Sequence, residues 1–130
     1  MIGVEGSQTS CRMMPFERFG AWQRAHYLAL DVYKVSARWP VQERYGLISQ
    51  ARRAAYSIPS NIAEGSARRG SNEFARFLNI ALGSFSELTY LLYLARDLGY
   101  LSAEEWSALE ERRTGTGKLL WCLYSRVRKR

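Results

Sequence analysis

The chain has 130 residues, 47% of them hydrophobic and 24% charged, which suits one soluble globular domain with a single core and excludes two. Its 19 Lys and Arg outnumber 12 Asp and Glu, a formal net charge of +7, and such a balance favours polyanions through phosphate neutralisation and counterion release. No apolar run approaches the roughly 20 residues of a membrane-spanning helix, no secretory signal opens the chain, and Cys11 and Cys122 make no disulfide framework, so a cytoplasmic protein is expected.

Residues 1–15 lack periodicity and are rich in Gly, Ser and Thr, which predicts a flexible tail ahead of a bundle domain over residues 16–130. Met13 and Met14, like Met1, are each a plausible start. The first helix is predicted from about Phe19 to Arg38 and stops at Pro40. Trp22, Ala25, Ala29, Val32 and Ser36 trace its inner face, widened by Leu28, Val35 and Trp39. His26 is the only histidine, and no ligand or base partner stands at a useful spacing, so it reads as a packing or surface residue.

The second helix is predicted from about Glu43 to Arg68, with Leu47, Ile48, Ala51, Ala54, Ala55, Ile58 and Ile62 on its buried face. Ser49, Arg52, Arg53, Tyr56 and Ser60 fall opposite. Pro59, lacking an N–H, should kink or interrupt it. Arg68-Arg69-Gly70 follows as a basic connection, and Ser71 or Asn72 is the expected cap of the third helix.

The third helix, about Asn72 to Leu98, carries Phe74, Phe77, Leu78, Ala81, Phe85, Leu88, Leu92 and Ala95 on one face. A second apolar set, Ile80, Leu82, Leu91 and Leu94 with Tyr90 and Tyr93, lies off it. A single four-helix bundle covers only one stripe per helix, so the second set argues for burial against further subunits. Gly99 suits a C-terminal cap, and Ser102-Ala103-Glu104-Glu105 fits a capping box that opens the fourth helix. Trp106, Leu109, Leu120, Leu123 and Val127 continue the apolar pattern, with a bend expected at Thr114-Gly115-Thr116-Gly117. The reading is an all-α, antiparallel up-down four-helix bundle, its second helix kinked at Pro59.

Gln50-Ala51-Arg52-Arg53-Ala54-Ala55 and Ser57-Ile58-Pro59-Ser60-Asn61-Ile62-Ala63-Glu64-Gly65 resemble the signature of the bacterial four-helix-bundle family called 23S rRNA intervening-sequence proteins. Trp22-Gln23-Arg24-Ala25, Glu73-Phe74, Phe77-Leu78, Ile80-Ala81-Leu82-Gly83-Ser84, Glu87-Leu88 and Leu98-Gly99-Tyr100-Leu101 extend the match over about Phe16 to Leu101. The resemblance implies a helical bundle, commonly a ring of five, without known enzymatic activity. Distantly similar is the accessory protein of diversity-generating retroelements, a basic pentamer that engages nucleic acid and a reverse transcriptase.

Chemistry-bearing patterns are few. Gly115-Thr116-Gly117-Lys118 is like the end of a phosphate-binding loop, but Arg112 stands at the required first glycine and Leu119 at the Ser/Thr position. Glu104-Glu105 and Glu110-Glu111 read as capping and solvated charge, and a lone histidine leaves no triad to build. No catalytic residue, metal site or cofactor is expected. Ser57, Pro59, Ser60, Asn61, Glu64, Gly65 and Glu87 read as structural, with Glu64 or Glu87 expected to pair with Arg52 or Arg53; the competing reading is a polar pocket opened at Pro59.

The candidate nucleic-acid contacts are Arg52 and Arg53, Arg68 and Arg69, and the terminal Arg126, Arg128, Lys129 and Arg130. Tyr56, one turn after Arg52, has a face for a base or for that guanidinium. The expected function is a nonenzymatic homo-oligomer, five copies by resemblance, that contacts RNA or DNA. The competitor is a scaffold docking an acidic protein partner. No membrane partner is expected.

Overall fold

The apolar spacing sets four helices. In the computed structural model, which describes residues 14–129, α1 spans Gly20–Ser36, α2 Leu47–Ser66, α3 Ser71–Asp97 and α4 Ala103–Arg128. Single 3-10 turns, Pro15–Arg18 and Val41–Glu43, precede α1 and α2. Cys11, Met1, Met13 and the rest of the expected tail up to residue 13 lie outside the described residues, as does Arg130. Met14 and Pro15 do not extend that tail. They open the first 3-10 turn, where the Met14 N–H donates to Glu17 Oε2 at 2.9 Å.

Each boundary has a local cause. At α4 the capping box forms as expected, with Glu105 N–H donating to Ser102 Oγ at 3.0 Å and Ser102 N–H to Glu105 Oε1 at 2.9 Å. At the end of α3, Gly99 takes φ 82°, and the amides of Gly99 and Tyr100 close back on the carbonyls of Arg96 and Ala95. The start of α3 differs from expectation: Gly70, at φ 86°, occupies the cap position with no side-chain hydrogen bond, and Ser71 is already helical. The start of α2 also differs. Glu43 lies in the preceding turn, and its Oε1 accepts the Leu47 N–H at 3.2 Å while its Oε2 accepts the Tyr100 hydroxyl at 2.9 Å.

Neither Pro59 nor the α4 glycines interrupt their helix. α2 stays helical through the buried Pro59 to Ser66, because Ile58, Pro59 and Ile62 are all packed into the core and packing outweighs one lost backbone hydrogen bond. α4 runs unbroken through Gly115 and Gly117. These glycines are close-approach sites: a Cβ on Gly117 would sit 2.7 Å from Phe85 Cζ, and one on Gly115 would meet the Arg24 guanidinium. Thr116 between them is fully buried, its hydroxyl donating to Arg112 O at 2.8 Å.

The helices pack as a four-membered ring, α1 on α2, α2 on α3, α3 on α4 and α4 on α1, while the diagonal backbones stay apart. Gly20 meets Leu119, Arg24 meets Gly115, and Asp31 pairs with Arg112 at 2.6 Å, so α4 numbers fall as α1 numbers rise. The same opposite sense holds between α3 and α4, where Phe85 covers Gly117 and Tyr93 packs on Trp106. Leu28, Val32, Ile58, Ile62, Leu78, Leu88, Leu92 and Leu120 fill the centre.

α3 is the most apolar element. At 27 residues it has the length and composition to cross a membrane, although Asn79, Gly83, Ser84 and Ser86 interrupt its apolar runs. Only 28% of its most apolar window is buried inside the protomer. Ile80 is 43% exposed and Tyr90 62%, with Leu91 and Leu94 half-buried beside them.

Candidate nucleic-acid interface

The basic residues divide into those held by the fold and those left outward. Arg52 is held. Its Nε donates to Ser36 Oγ at 2.8 Å and its Nη2 to Tyr33 O at 3.2 Å, and its guanidinium lies 4.5 Å from the Tyr33 ring centroid. It therefore ties the second turn of α2 to the last turn of α1, where a cation suits the negative end of the dipole. Tyr33, not Tyr56, stacks on it, and Tyr56 stays exposed. Arg53 is exposed and makes no ion pair among the described residues.

Glu64 pairs with Arg68 at 2.9 Å, one helical turn away, so the expected pairing with Arg52 or Arg53 does not form. Glu87 is exposed and makes no ion pair among the described residues. Ser57 and Ser84 share a hydrogen bond of 2.8 Å across α2 and α3, and Asn61 Nδ2 donates to Ser57 O at 2.8 Å and to Ser57 Oγ at 3.0 Å. The Ser57–Ser84 bond joins two helices, while Asn61 bonds back one turn along α2 to Ser57. Gly65 is buried, and a Cβ there would lie 2.6 Å from Phe77 Cβ, so this glycine lets α2 and α3 touch. Ser60 is exposed.

Topology brings the remaining arginines together. Arg68 and Arg69 sit in the connection between the end of α2 and the start of α3. α4 packs Leu119 at Gly20, the first residue of α1, and Gly117 under Phe85, then continues toward that same connection. Arg128 lies nine residues beyond Leu119, about 14 Å along the axis. Arg126, Arg128 and Lys129 therefore share one end of the bundle with Arg68, Arg69 and Arg18 of the first 3-10 turn. Five of those six make no hydrogen bond or ion pair that would neutralise them: Arg18, Arg69, Arg126, Arg128 and Lys129 are exposed and unpaired among the described residues.

At the other end both signs gather, the acidic residues standing beside Arg38, Arg44, Arg96, Arg112 and Arg113. Glu104, Glu105, Glu110 and Glu111 occupy the first turns of α4, near Glu43 and Asp97 at the ends of the loops. Some are paired there: Arg38 with Glu105, and Arg113 with Glu110 through two hydrogen bonds of 2.7 and 2.8 Å. The Arg113 hydrogen bonds hold the Glu110 carboxyl below the usual carboxylate range, and Glu110 raises the Arg113 guanidinium in turn. The Tyr100 phenol is raised because it donates to the Glu43 carboxylate.

His26 is exposed and stacks on Trp22, with centroids 5.2 Å apart and planes 3° from parallel. Among the described residues no three His, Cys, Asp or Glu side chains are grouped to hold a metal. Cross-helix ties such as Asp31–Arg112 and Glu43–Tyr100 carry no signal in the sequence, because residues 81 and 57 positions apart share no periodic face. Trp121 also escaped: it is exposed on α4, out of phase with the buried stripe, and that phase mismatch was the available clue.

The model of the 23S rRNA-intervening sequence protein family matches residues 17–121. The chain belongs to that family. A crystal structure of an S23 ribosomal protein family member of unknown function, from Bacteroides thetaiotaomicron VPI-5482, superimposes with a TM-score of 0.73 at 23% identity, over 81% of this chain and 95% of that one. At that identity the likeness concerns the fold. No curated protein matches the chain. The family match ends at Trp121, so Arg126 and Arg128 on the last turns of α4 and Lys129 at its C-cap lie beyond it.

Proposed function

We propose that this 23S rRNA-intervening sequence protein is a nonenzymatic, cytoplasmic, self-assembling helical bundle that contacts RNA or DNA through its basic end. The observation that carries the reading is the convergence of Arg18, Arg68, Arg69, Arg126, Arg128 and Lys129 on one end while the glutamates of α4 gather at the other. Focused charge of one sign attracts phosphate more strongly than the same charge dispersed. Self-assembly is supported by the outer face of α3, where Ile80 and Tyr90 stay exposed while Leu91 and Leu94 reach the protomer core only in part. A closed ring covers such a strip on every copy, and the resemblance of the sequence to pentameric proteins favours five.

The test is the salt dependence of binding to unrelated RNA and DNA. Changing Arg68, Arg69, Arg126, Arg128 and Lys129 together to Gln should weaken binding at low salt and flatten the slope of log affinity against log salt by about 0.9 for each lost phosphate contact. Helicity should be unchanged, since all five side chains are exposed. Light scattering should give a mass that is a multiple of the 15.0 kDa chain. A wild-type chain that binds neither RNA nor DNA at low salt would end the nucleic-acid reading and leave the scaffold that docks an acidic protein.

A further inference from the structure

The part of α4 that continues past its glutamates presents an exposed aromatic among cations. From Arg112 to Lys129 there is no Asp or Glu. Trp121 is 55% exposed, whereas Trp39 is buried and Trp22 and Trp106 are half-buried. Lys118, Trp121, Ser125 and Arg128 follow one another at three- and four-residue steps, so they form one outward stripe. Tyr124 braces the tryptophan from the side, its ring 5.7 Å away and tilted by 40°, and the Arg128 guanidinium lies 5.7 Å from the Tyr124 ring. The indole is thereby held with much of its surface open to solvent and a cation on either side along the stripe.

Resting on the nucleic-acid reading above, we infer that Trp121 is a base-stacking platform for a single-stranded segment of RNA or DNA, with Lys118 and Arg128 holding flanking phosphates. Base faces inside a duplex are covered by their neighbours, so an exposed indole offers nothing to paired bases and a stacking partner to an unpaired one. Arg128 is seven residues away, about 10 Å along the helix, which places phosphate and base contacts on the same short strand. The stripe is polar on both sides of the ring, through Lys118 and Ser125, which suits a phosphate backbone better than an apolar surface.

Binding of a short mixed-sequence single strand and of its duplex would be compared by fluorescence anisotropy, with the wild-type chain, Trp121→Ala, Trp121→Phe and the glutamine variant of the basic end. The expected result is a loss of about 5- to 150-fold for Trp121→Ala on the single strand. Duplex affinity should be unchanged, Trp121→Phe should restore most of the loss, and single-strand binding should quench tryptophan fluorescence. The glutamine variant should weaken single strand and duplex alike. If Trp121→Ala leaves single-strand binding unaltered, or lowers both affinities equally, the platform is refuted while the basic-end reading stands. A change of mass in Trp121→Ala by light scattering would make the residue a subunit contact and overturn the inference, as would binding to anionic vesicles in preference to single strands. Loss of all nucleic-acid binding by the wild-type chain would overturn both readings together.

Discussion

Gly65→Ala tests the closest contact in the fold. The added Cβ would stand 2.6 Å from Phe77 Cβ, 3.1 Å from Phe74 Cδ1 and 3.3 Å from Phe77 Cγ. Phe77 Cβ is bonded to the α3 backbone and cannot rotate away, so α2 and α3 must separate by several tenths of an ångström. Overpacking of this kind costs about 1–3 kcal/mol, against a gain of up to about 1 kcal/mol from the better helix propensity of alanine. With the full propensity gain the net loss is up to about 2 kcal/mol, which for a domain of this size lowers Tm by up to about 10 °C. Gly83→Ala, in the middle of α3, is the matched control, because a Cβ there meets nothing within 4 Å. Within one protomer it should raise Tm by about 3–5 °C through propensity alone. Thermal melts followed by circular dichroism, run at a concentration where light scattering shows single chains, would rank Gly83→Ala above wild type and Gly65→Ala below it. A Gly65→Ala melt at or above wild type would refute the close α2–α3 approach. At higher concentration, a Gly83→Ala that melts below wild type, with a smaller mass, would show another chain seated on α3.

Two further outcomes follow from the core and from the glutamate end. Ile58→Asp and Leu88→Asp each place an unpaired carboxylate at a fully buried position, a cost comparable to the whole stability of a small domain, and circular dichroism should report an unfolded chain; a soluble variant with wild-type helicity and Tm would remove that position from the core. Because the Arg113 hydrogen bonds depress the Glu110 carboxyl in the fold, its contribution is present above the ordinary carboxylate range and lost as pH falls through the folded value. Glu110→Gln should therefore cost about 1 kcal/mol near neutral pH, with the difference from wild type vanishing in acid, as read by urea melts across pH. A difference independent of pH would exclude the ion pair as its source.

Local physics made most of the fold legible. The apolar faces of α1 and α2, the Ser102–Glu105 box and the Gly99 cap all depend on residues within a few positions of one another, so their spacing in the chain is their spacing in space. Family membership was legible for the same reason, through contiguous strings such as Ser57–Gly65. Pro59 and the glycines of α4 interrupt neither helix: local propensity alone says break, while the buried Ile58, Ile62 and Thr116 and the Phe85 ring seated on Gly117 say continue. Sequence could count arginines but not assign them. Arg52 and Arg53 are neighbours in the chain, yet a 100° turn of the helix sends one to the Ser36 hydroxyl and Tyr33 carbonyl and leaves the other in solvent. Arg68 and Arg128 lie 60 positions apart, and only the return of α4 along α1 and α3 puts them at one end. Composition determined that the chain is basic; the packing of four helices decided which of its arginines share an end.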